Sequence, residues 1–326
     1  MLWLSETDVK SVLDPGLLVA GIENVFTEYG RGNAVNPRET RIDDYDLPAN
    51  FVAFPAYLPT MHSYAVKVLA GNDRNPERGL PFIHAVIVLL DTQTGEVQAI
   101  MEARYLTACR TAATSAVATK FLAKPDATCL GILGTGIQGR LHLEVLPLTR
   151  AFHTVRVGSP SGGTDRARAM ARQADAAFGG TPRVVACSSV TEVVRGAGVL
   201  VTATNARVPL FEDDLVAGDC HINVVGCFRP CAMEIPPRLM SRARTVVADQ
   251  VERFQGHWEG DAKLEFDRRV LDSVTSLAEA VVQGQGATRR GGLSLFMSEG
   301  MAMEDAVAAQ LVYERAIEAG VGQRLT

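Results

Sequence analysis

The sequence has no excess of positive charge. Its 326 residues carry 32 Lys and Arg against 37 Asp and Glu, a formal net charge of −5. A nucleic-acid surface needs a cationic surplus, so that class is set aside. No apolar run reaches the roughly 18 residues of a membrane helix. The start, Met1-Leu-Trp-Leu-Ser-Glu-Thr-Asp, has no basic segment leading into a long apolar one. Neither a secretory leader nor a membrane partner is expected, and the chain is expected to be cytoplasmic. Aromatic residues are scarce at 6 % against 47 % hydrophobic overall, so the cores should be aliphatic. The six cysteines (Cys109, Cys129, Cys187, Cys220, Cys227 and Cys231) lack the dense spacing of a small disulfide scaffold and read as reduced thiols. Cys227 and Cys231, with Cys220-His221 upstream, fit no common zinc spacing, and no metal is expected.

A chain of this length is expected to form two domains. Residues 5–30 show helical spacing, with Ser5 or Thr7 able to cap the start; a second helix runs from Pro15 to about Tyr29 and is stopped by Gly30 and Gly32. Residues 33–60 are polar and proline-rich, then aromatic, and read as a long connection. Strands are expected over 64–70, 83–91 and 97–103, the last two joined by the turn Thr92-Gln-Thr-Gly95, in an antiparallel sheet. A helix follows over 106–122 with Arg110 near its start. From 129 onward, short apolar strands alternate with helices, the pattern of a parallel sheet with crossover helices. The fold class is therefore α/β: a doubly wound parallel sheet beside an α+β domain. A last helix is expected over 302–319.

Gly134-Thr135-Gly136-Ile137-Gln138-Gly139 stands between an apolar strand and a helix. The spacing G-x-G-x-x-G in that position is the dinucleotide fingerprint. Gly134 permits the tight turn, Gly136 lets backbone approach a pyrophosphate, and Gly139 allows close helix–strand packing. The helix N-terminus adds N–H groups and positive potential for the phosphates. At the end of the next strand, an acid would bind a ribose 2′-hydroxyl. Here the run is Val155-Arg-Val-Gly-Ser159-Pro-Ser161, with no acid before Asp165. Ser159, Ser161 and Arg166 suit a 2′-phosphate, so the cofactor is NAD or NADP with a small preference for NADP.

Several segments together resemble the ornithine cyclodeaminase/mu-crystallin family: Phe54-Pro-Ala-Tyr57, Val66-Lys-Val-Leu-Ala-Gly-Asn72, Leu106-Thr-Ala-Cys-Arg-Thr-Ala-Ala113, Val201-Thr-Ala-Thr-Asn205, His221-Ile-Asn-Val-Val-Gly226, and Leu295-Phe-Met-Ser-Glu-Gly300 followed by Glu304-Asp305. The resemblance spans the chain in order. It implies a homodimer, a bound nicotinamide cofactor, a substrate-binding and dimerisation domain over 1–112 and 302–326, and a Rossmann domain over 113–301. It implies that Arg110 grips a substrate α-carboxylate, a task suited to a guanidinium fork. It matches Lys67 to an active-site lysine that manages a proton on nitrogen. Arg41, with Arg38 in reserve, should also touch the carboxylate. Thr111 should approach the cofactor phosphates. Thr204 and Asn205 should line the cofactor cleft, with Ser298 and Gly300 near the nicotinamide.

One departure bears on the reaction. Cyclodeaminases of this family carry an aspartate where this chain has Phe228, in Gly226-Cys-Phe-Arg-Pro-Cys-Ala-Met-Glu234. A phenyl ring takes no proton. The reading is therefore an oxidoreductase acting at the α-carbon of an amino or imino acid. The alternatives are a cyclodeaminase using NAD catalytically, or a non-enzymatic crystallin-like ligand-binding protein. Cys231 reads as inert packing, Glu234 as either an arginine partner or a catalytic acid, and His221 as structural.

Overall fold

The computed structural model describes residues 1–44, 49–72, 74–160, 164–227, 232–259, 269–284 and 291–325. Ser161, Phe228 and Cys231 lie outside the described residues. The chain divides into two units, Met1–Arg110 with Met301–Thr326, and Thr111–Gly300.

The first unit opens with β1 (Leu2–Leu4), α1 (Glu6–Val12) and α2 (Pro15–Gly30). Ser5 and Asp8 form a reciprocal capping box on α1, and Asp14 caps α2 with Pro15 in its first turn. Then come β2 (Thr40–Asp44), β3 (Ala49–Leu58), β4 (Ser63–Asn72), β5 (Ile83–Asp91) and β6 (Val97–Glu102). They join one seven-stranded sheet in the order β15-β1-β6-β5-β4-β3-β2, where β15 is Gln323–Arg324. Every pairing is antiparallel except β1 with β6.

The segment 33–60 is thus not the long connection its composition suggested, because β2 and β3 form there. The misleading residue is Pro55. Tyr57 exchanges backbone hydrogen bonds with Val35, whereas the β2–β3 pairing stops at Thr40↔Ala53. Pro55 falls between these two pairings on the side to which Tyr57 donates. A missing N–H there breaks no ladder bond.

Period-two alternation gives this sheet two unlike faces. One carries Val52, Ala56, Ala65, Ile87, Leu89 and Met101, all buried. The helix α11 (Ala302–Ala319), numbered after those of the second unit, packs against β3, β4 and β5, and α2 packs on α11. The opposite face carries Pro55, Val66, Val68, Val86, Val88 and Ile100, which are only half-buried.

Helix α3 (Arg104–Leu122) carries the chain into the second unit. There, β7 (Cys129–Leu133), α4 (Ile137–Val145), β8 (Thr154–Gly158), α5 (Thr164–Phe178), β9 (Arg183–Ala186), α6 (Val190–Val194) and β10 (Val199–Thr202) alternate. They continue into β11 (His221–Val224), α7 (Arg238–Arg242), β12 (Thr245–Ala248), α8 (Val251–Glu259), α9 (Arg269–Asp272), β13 (Thr275–Ser276), α10 (Leu277–Gln283) and β14 (Ser294–Met297). All eight strands pair in parallel, in the order β13-β12-β14-β11-β10-β7-β8-β9. The chain winds outward through β8 and β9, then restarts at β10 on the other side of β7. That reversal is the switch point where open parallel sheets bind ligands, at the strand C-terminal ends.

Candidate active site

At the switch point, the loop after β7 has three glycines with three distinct roles. Gly134 adopts φ +127°, and a Cβ there would stand 2.2 Å from the carbonyl oxygen of Ala203, just past β10. A Cβ on Gly139 would stand 2.0 Å from the carbonyl oxygen of Gly134. No side chain larger than hydrogen fits at either place. Gly136 differs: a Cβ there would meet no heavy atom within 4 Å. It is the N-cap of α4, and no side chain caps it. The first N–H groups of α4 therefore open onto free space beside a bare backbone, as a pyrophosphate requires. Ile137 is exposed and Gln138 half-buried, with its Oε1 lacking a hydrogen-bond partner. The residues present thus fit a dinucleotide.

Around this loop, Ser159 is half-buried after β8, and Arg166 is exposed in the first turn of α5. Thr111 is buried in α3. Asn205 is exposed, while the Thr204 hydroxyl is donated to Glu234 at 2.7 Å. Glu234, fully buried, also accepts from the Thr202 hydroxyl at 2.8 Å, the Thr204 N–H at 2.5 Å and the Gly226 N–H at 2.7 Å. Burial raises its pKa, and these donors oppose the rise. Among the described residues its partners are these hydroxyls and amides, which tie the ends of β10 and β11 together. Gly226 is confined by the same cage, since a Cβ there would meet the Thr204 carbonyl oxygen at 2.2 Å.

Ser298 and Gly300 follow β14. Asp249, at the end of β12, accepts from the N–H groups of Glu299 at 2.8 Å and Gly300 at 2.9 Å. Glu299 in turn faces Arg253 Nε at 3.3 Å and His257 Nδ1 at 3.0 Å, one turn apart on α8. Two histidines are fully buried against hydroxyl or carbonyl oxygens. His142 lies 2.8 Å from the Gln138 carbonyl oxygen and 2.9 Å from Ser115 Oγ, and burial lowers its pKa to about 4. His221 lies 2.9 Å from Ser294 Oγ, and burial lowers it to about 3. The five described cysteines are thiols. Among the described residues no His/Cys/Asp/Glu group could hold a metal, and no helix is long and apolar enough to cross a membrane.

In the first unit, Lys67 and Arg110 come together through two acids of α11. The Lys67 Nζ lies 2.5 Å from Asp305 Oδ2, and Arg110 Nε lies 2.9 Å from Asp305 Oδ1. Arg110 Nη1 lies 2.6 Å from Glu304 Oε2. All four residues are buried: Lys67 is 2 % exposed, Arg110 6 %, Glu304 0 % and Asp305 1 %. Two cations and two anions share this space, so the charges compensate. The Lys67 ammonium also lies 4.6 Å from the centroid of the Phe54 ring. Burial brings the Lys67 pKa down from 10.5 to about 8, against the upward pull of Asp305. The register Leu69↔Val52↔Arg41 puts Arg41 on the same sheet face as Lys67, on an exposed edge strand. Arg38 is exposed in the preceding loop, which is anchored where Asn36 Oδ1 accepts from the Met303 N–H at 3.0 Å.

Glu304 and Asp305 carry no role in the sequence reading. The available signal is two adjacent acids inside an alanine-rich helix, which must find cations if that helix is buried.

Residues 1–320 match the ornithine cyclodeaminase/mu-crystallin family profile. A Delta(1)-pyrroline-2-carboxylate reductase of Bacillus cereus is 30 % identical over 329 residues, covering 100 % of this chain and 99 % of its own. The ketimine reductase mu-crystallin of Rattus norvegicus is 32 % identical over 316 residues, covering 96 % of each. Among solved structures, Thermococcus litoralis Delta(1)-pyrroline-2-carboxylate reductase, in complex with NADH and L-proline, aligns at TM-score 0.90 with 30 % identity and full coverage of both chains. With its fingerprint loop, switch-point topology and these whole-length likenesses, the chain belongs to the ornithine cyclodeaminase/mu-crystallin family.

Proposed function

We propose that this protein is an NAD(P)-dependent imine reductase that converts a cyclic or linear α-imino acid to the amino acid. The observation that carries the reading is the buried pairing of Lys67 and Arg110, in a chain whose second unit holds an open dinucleotide cradle at Gly134–Gln138. Arg110 is the anchor for the substrate carboxylate, with Arg41 assisting. Lys67, as ammonium, gives a proton to the imine nitrogen as the C=N π pair collapses onto it. The nicotinamide, when bound, supplies the hydride to the α-carbon. The chain's main contribution is to orient the reacting carbon and to hold the proton in reach.

Ser159, Ser161 and Arg166, with no acid before Asp165, favour NADPH over NADH. Thr111, Thr204, Asn205, Ser298 and Gly300 are assigned to the cofactor's remaining contacts, and the reduced thiols favour a cytoplasmic setting.

The test is loss of absorbance at 340 nm with Delta(1)-pyrroline-2-carboxylate and linear imino acids, using each reduced cofactor. Turnover is expected with both, with the higher kcat/KM for NADPH. Release of ammonia from ornithine without net cofactor oxidation would instead mark a cyclodeaminase. Binding without turnover would mark a crystallin-like protein.

The half-buried face of Pro55, Val66, Val68, Val86, Val88 and Ile100 is a continuous apolar sheet surface of the kind a homodimer covers. The first unit is accordingly assigned to substrate binding and dimerisation. Val66 and Val88 are cross-strand neighbours, so the double variant Val66→Lys/Val88→Lys places two charges side by side at its centre. Sedimentation is expected to give a dimer for the natural chain and a monomer for the variant. A dimer from both would remove this face from the interface.

A further inference from the structure

Lys67 makes its ion pair with a residue that the reaction scheme above leaves out. Asp305 divides its two oxygens: Oδ2 to the Lys67 ammonium at 2.5 Å, Oδ1 to Arg110 Nε at 2.9 Å. It sits in the first turn of α11, where Glu304 takes the neighbouring Arg110 Nη1. The backbone entering α11 is itself fixed, since Asn36 accepts from Met303. Asp305 thus fixes the spacing of a proton donor and a carboxylate anchor that stand on different elements, β4 and α3.

We infer that Asp305 is a positioning residue for imine reduction: by bridging Lys67 and Arg110 it keeps the Lys67 ammonium charged and aimed while Arg110 receives the substrate carboxylate. This inference rests on the proposed function and adds to it the group that controls the proton.

The physical balance at Lys67 supports the role. The groups facing it are Asp305 and Glu304 from α11, Arg110 from α3 and the uncharged Phe54 ring from β3. Burial and Arg110 favour the neutral amine, whereas Asp305 and, more weakly, Glu304 favour the ammonium. The net result is a pKa of about 8. Reduction needs the ammonium, so its rate should fall as pH rises through that value. Without the Asp305 charge, burial and Arg110 win by more. The fall then begins at lower pH.

The experiment compares pH–rate profiles for reduction of Delta(1)-pyrroline-2-carboxylate by the natural chain, Asp305→Asn and Asp305→Glu, with NADPH affinity measured alongside by fluorescence. The basic limb of the natural chain is expected near pH 8. In Asp305→Asn it should move down by about one unit or more, with kcat at neutral pH reduced about tenfold and NADPH affinity unchanged. Asp305→Glu keeps the charge and should restore the limb, with kcat lowered about fivefold by the longer reach. A merely structural aspartate would change the amount of active enzyme and leave the limb in place, and that result overturns the inference. If Asp305→Asn does not fold, Asp305→Ser takes its place in the same comparison: a limb moved to lower pH supports the role, and a limb left in place overturns it. A natural chain that reduces no imino acid defeats the functional reading itself. An active chain whose Asp305→Asn profile overlays its own defeats only the role of Asp305.

Discussion

Lys67→Met is expected to lower kcat for imine reduction by about 10²–10⁴-fold, the usual range for loss of a positioned proton donor, with NADPH affinity unchanged. Methionine matches the stem in length and is apolar, so it can lie against Phe54 where the ammonium now stands 4.6 Å from the ring centroid. Asp305 keeps its contact with Arg110, so the acid is not left unpaired. The activity loss should therefore come without unfolding, and steady-state rates beside a thermal melt would separate the two. The residual rate should also lack a basic limb near pH 8, because the titrating group has gone.

Stability carries a second signature of the same lysine. Its folded pKa of about 8 lies below the ordinary 10.5. The unfolded chain therefore holds a proton that the folded chain has lost between those two values, and stability rises with pH across that window. Below pH 8 the buried cation is a standing cost, present in full. Relative to Lys67→Met, the natural chain should gain melting temperature between pH 8 and the onset of alkaline unfolding. A parallel pH dependence of the two melting temperatures would show that Lys67 is not held in the buried environment described.

These expectations rest on contacts of very different visibility in the sequence. The glycine loop is legible because its constraint is local: three glycines at fixed spacing, of which Gly134 and Gly139 leave no room for a Cβ against nearby backbone. The parallel alternation from β7 onward is legible for the same reason, since each strand and helix announces itself by its own period. β14 does not stand out as a strand from Leu295-Phe-Met alone, because its place between β11 and β12 is fixed by pairing with segments distant in sequence. β3 is hidden by Pro55, whose harmlessness depends on Val35 and Thr40 taking the neighbouring positions. The site divides in the same way. Lys67 and Arg110 stand out as charges in apolar segments, but their partners Glu304 and Asp305 lie some 195 residues from Arg110. Only the fold says which buried acid meets which buried base.

Arg110 is where activity and stability are hardest to separate, and the expected outcome of its removal follows from that pairing. Arg110→Ala takes the guanidinium from Glu304 and Asp305, which are 0 % and 1 % exposed. Breaking a buried pair by deleting one partner costs about 3–5 kcal/mol, because the opposite charge stays buried. Asp305 keeps Lys67, while Glu304 loses the Arg110 guanidinium. A marked drop in melting temperature is expected, together with a rise in KM of about 100-fold or more in the protein that remains folded. The rise in KM alone could then be blamed on a damaged fold. Arg110→Lys resolves this, since the ammonium keeps the charge for Glu304 but loses the planar fork that pairs a carboxylate at two points. Its melting temperature should recover most of the loss while KM stays raised by about tenfold or more. If Arg110→Lys regains stability and KM together, the guanidinium serves α11 alone, and the substrate carboxylate is held elsewhere, with Arg41 the next residue to replace.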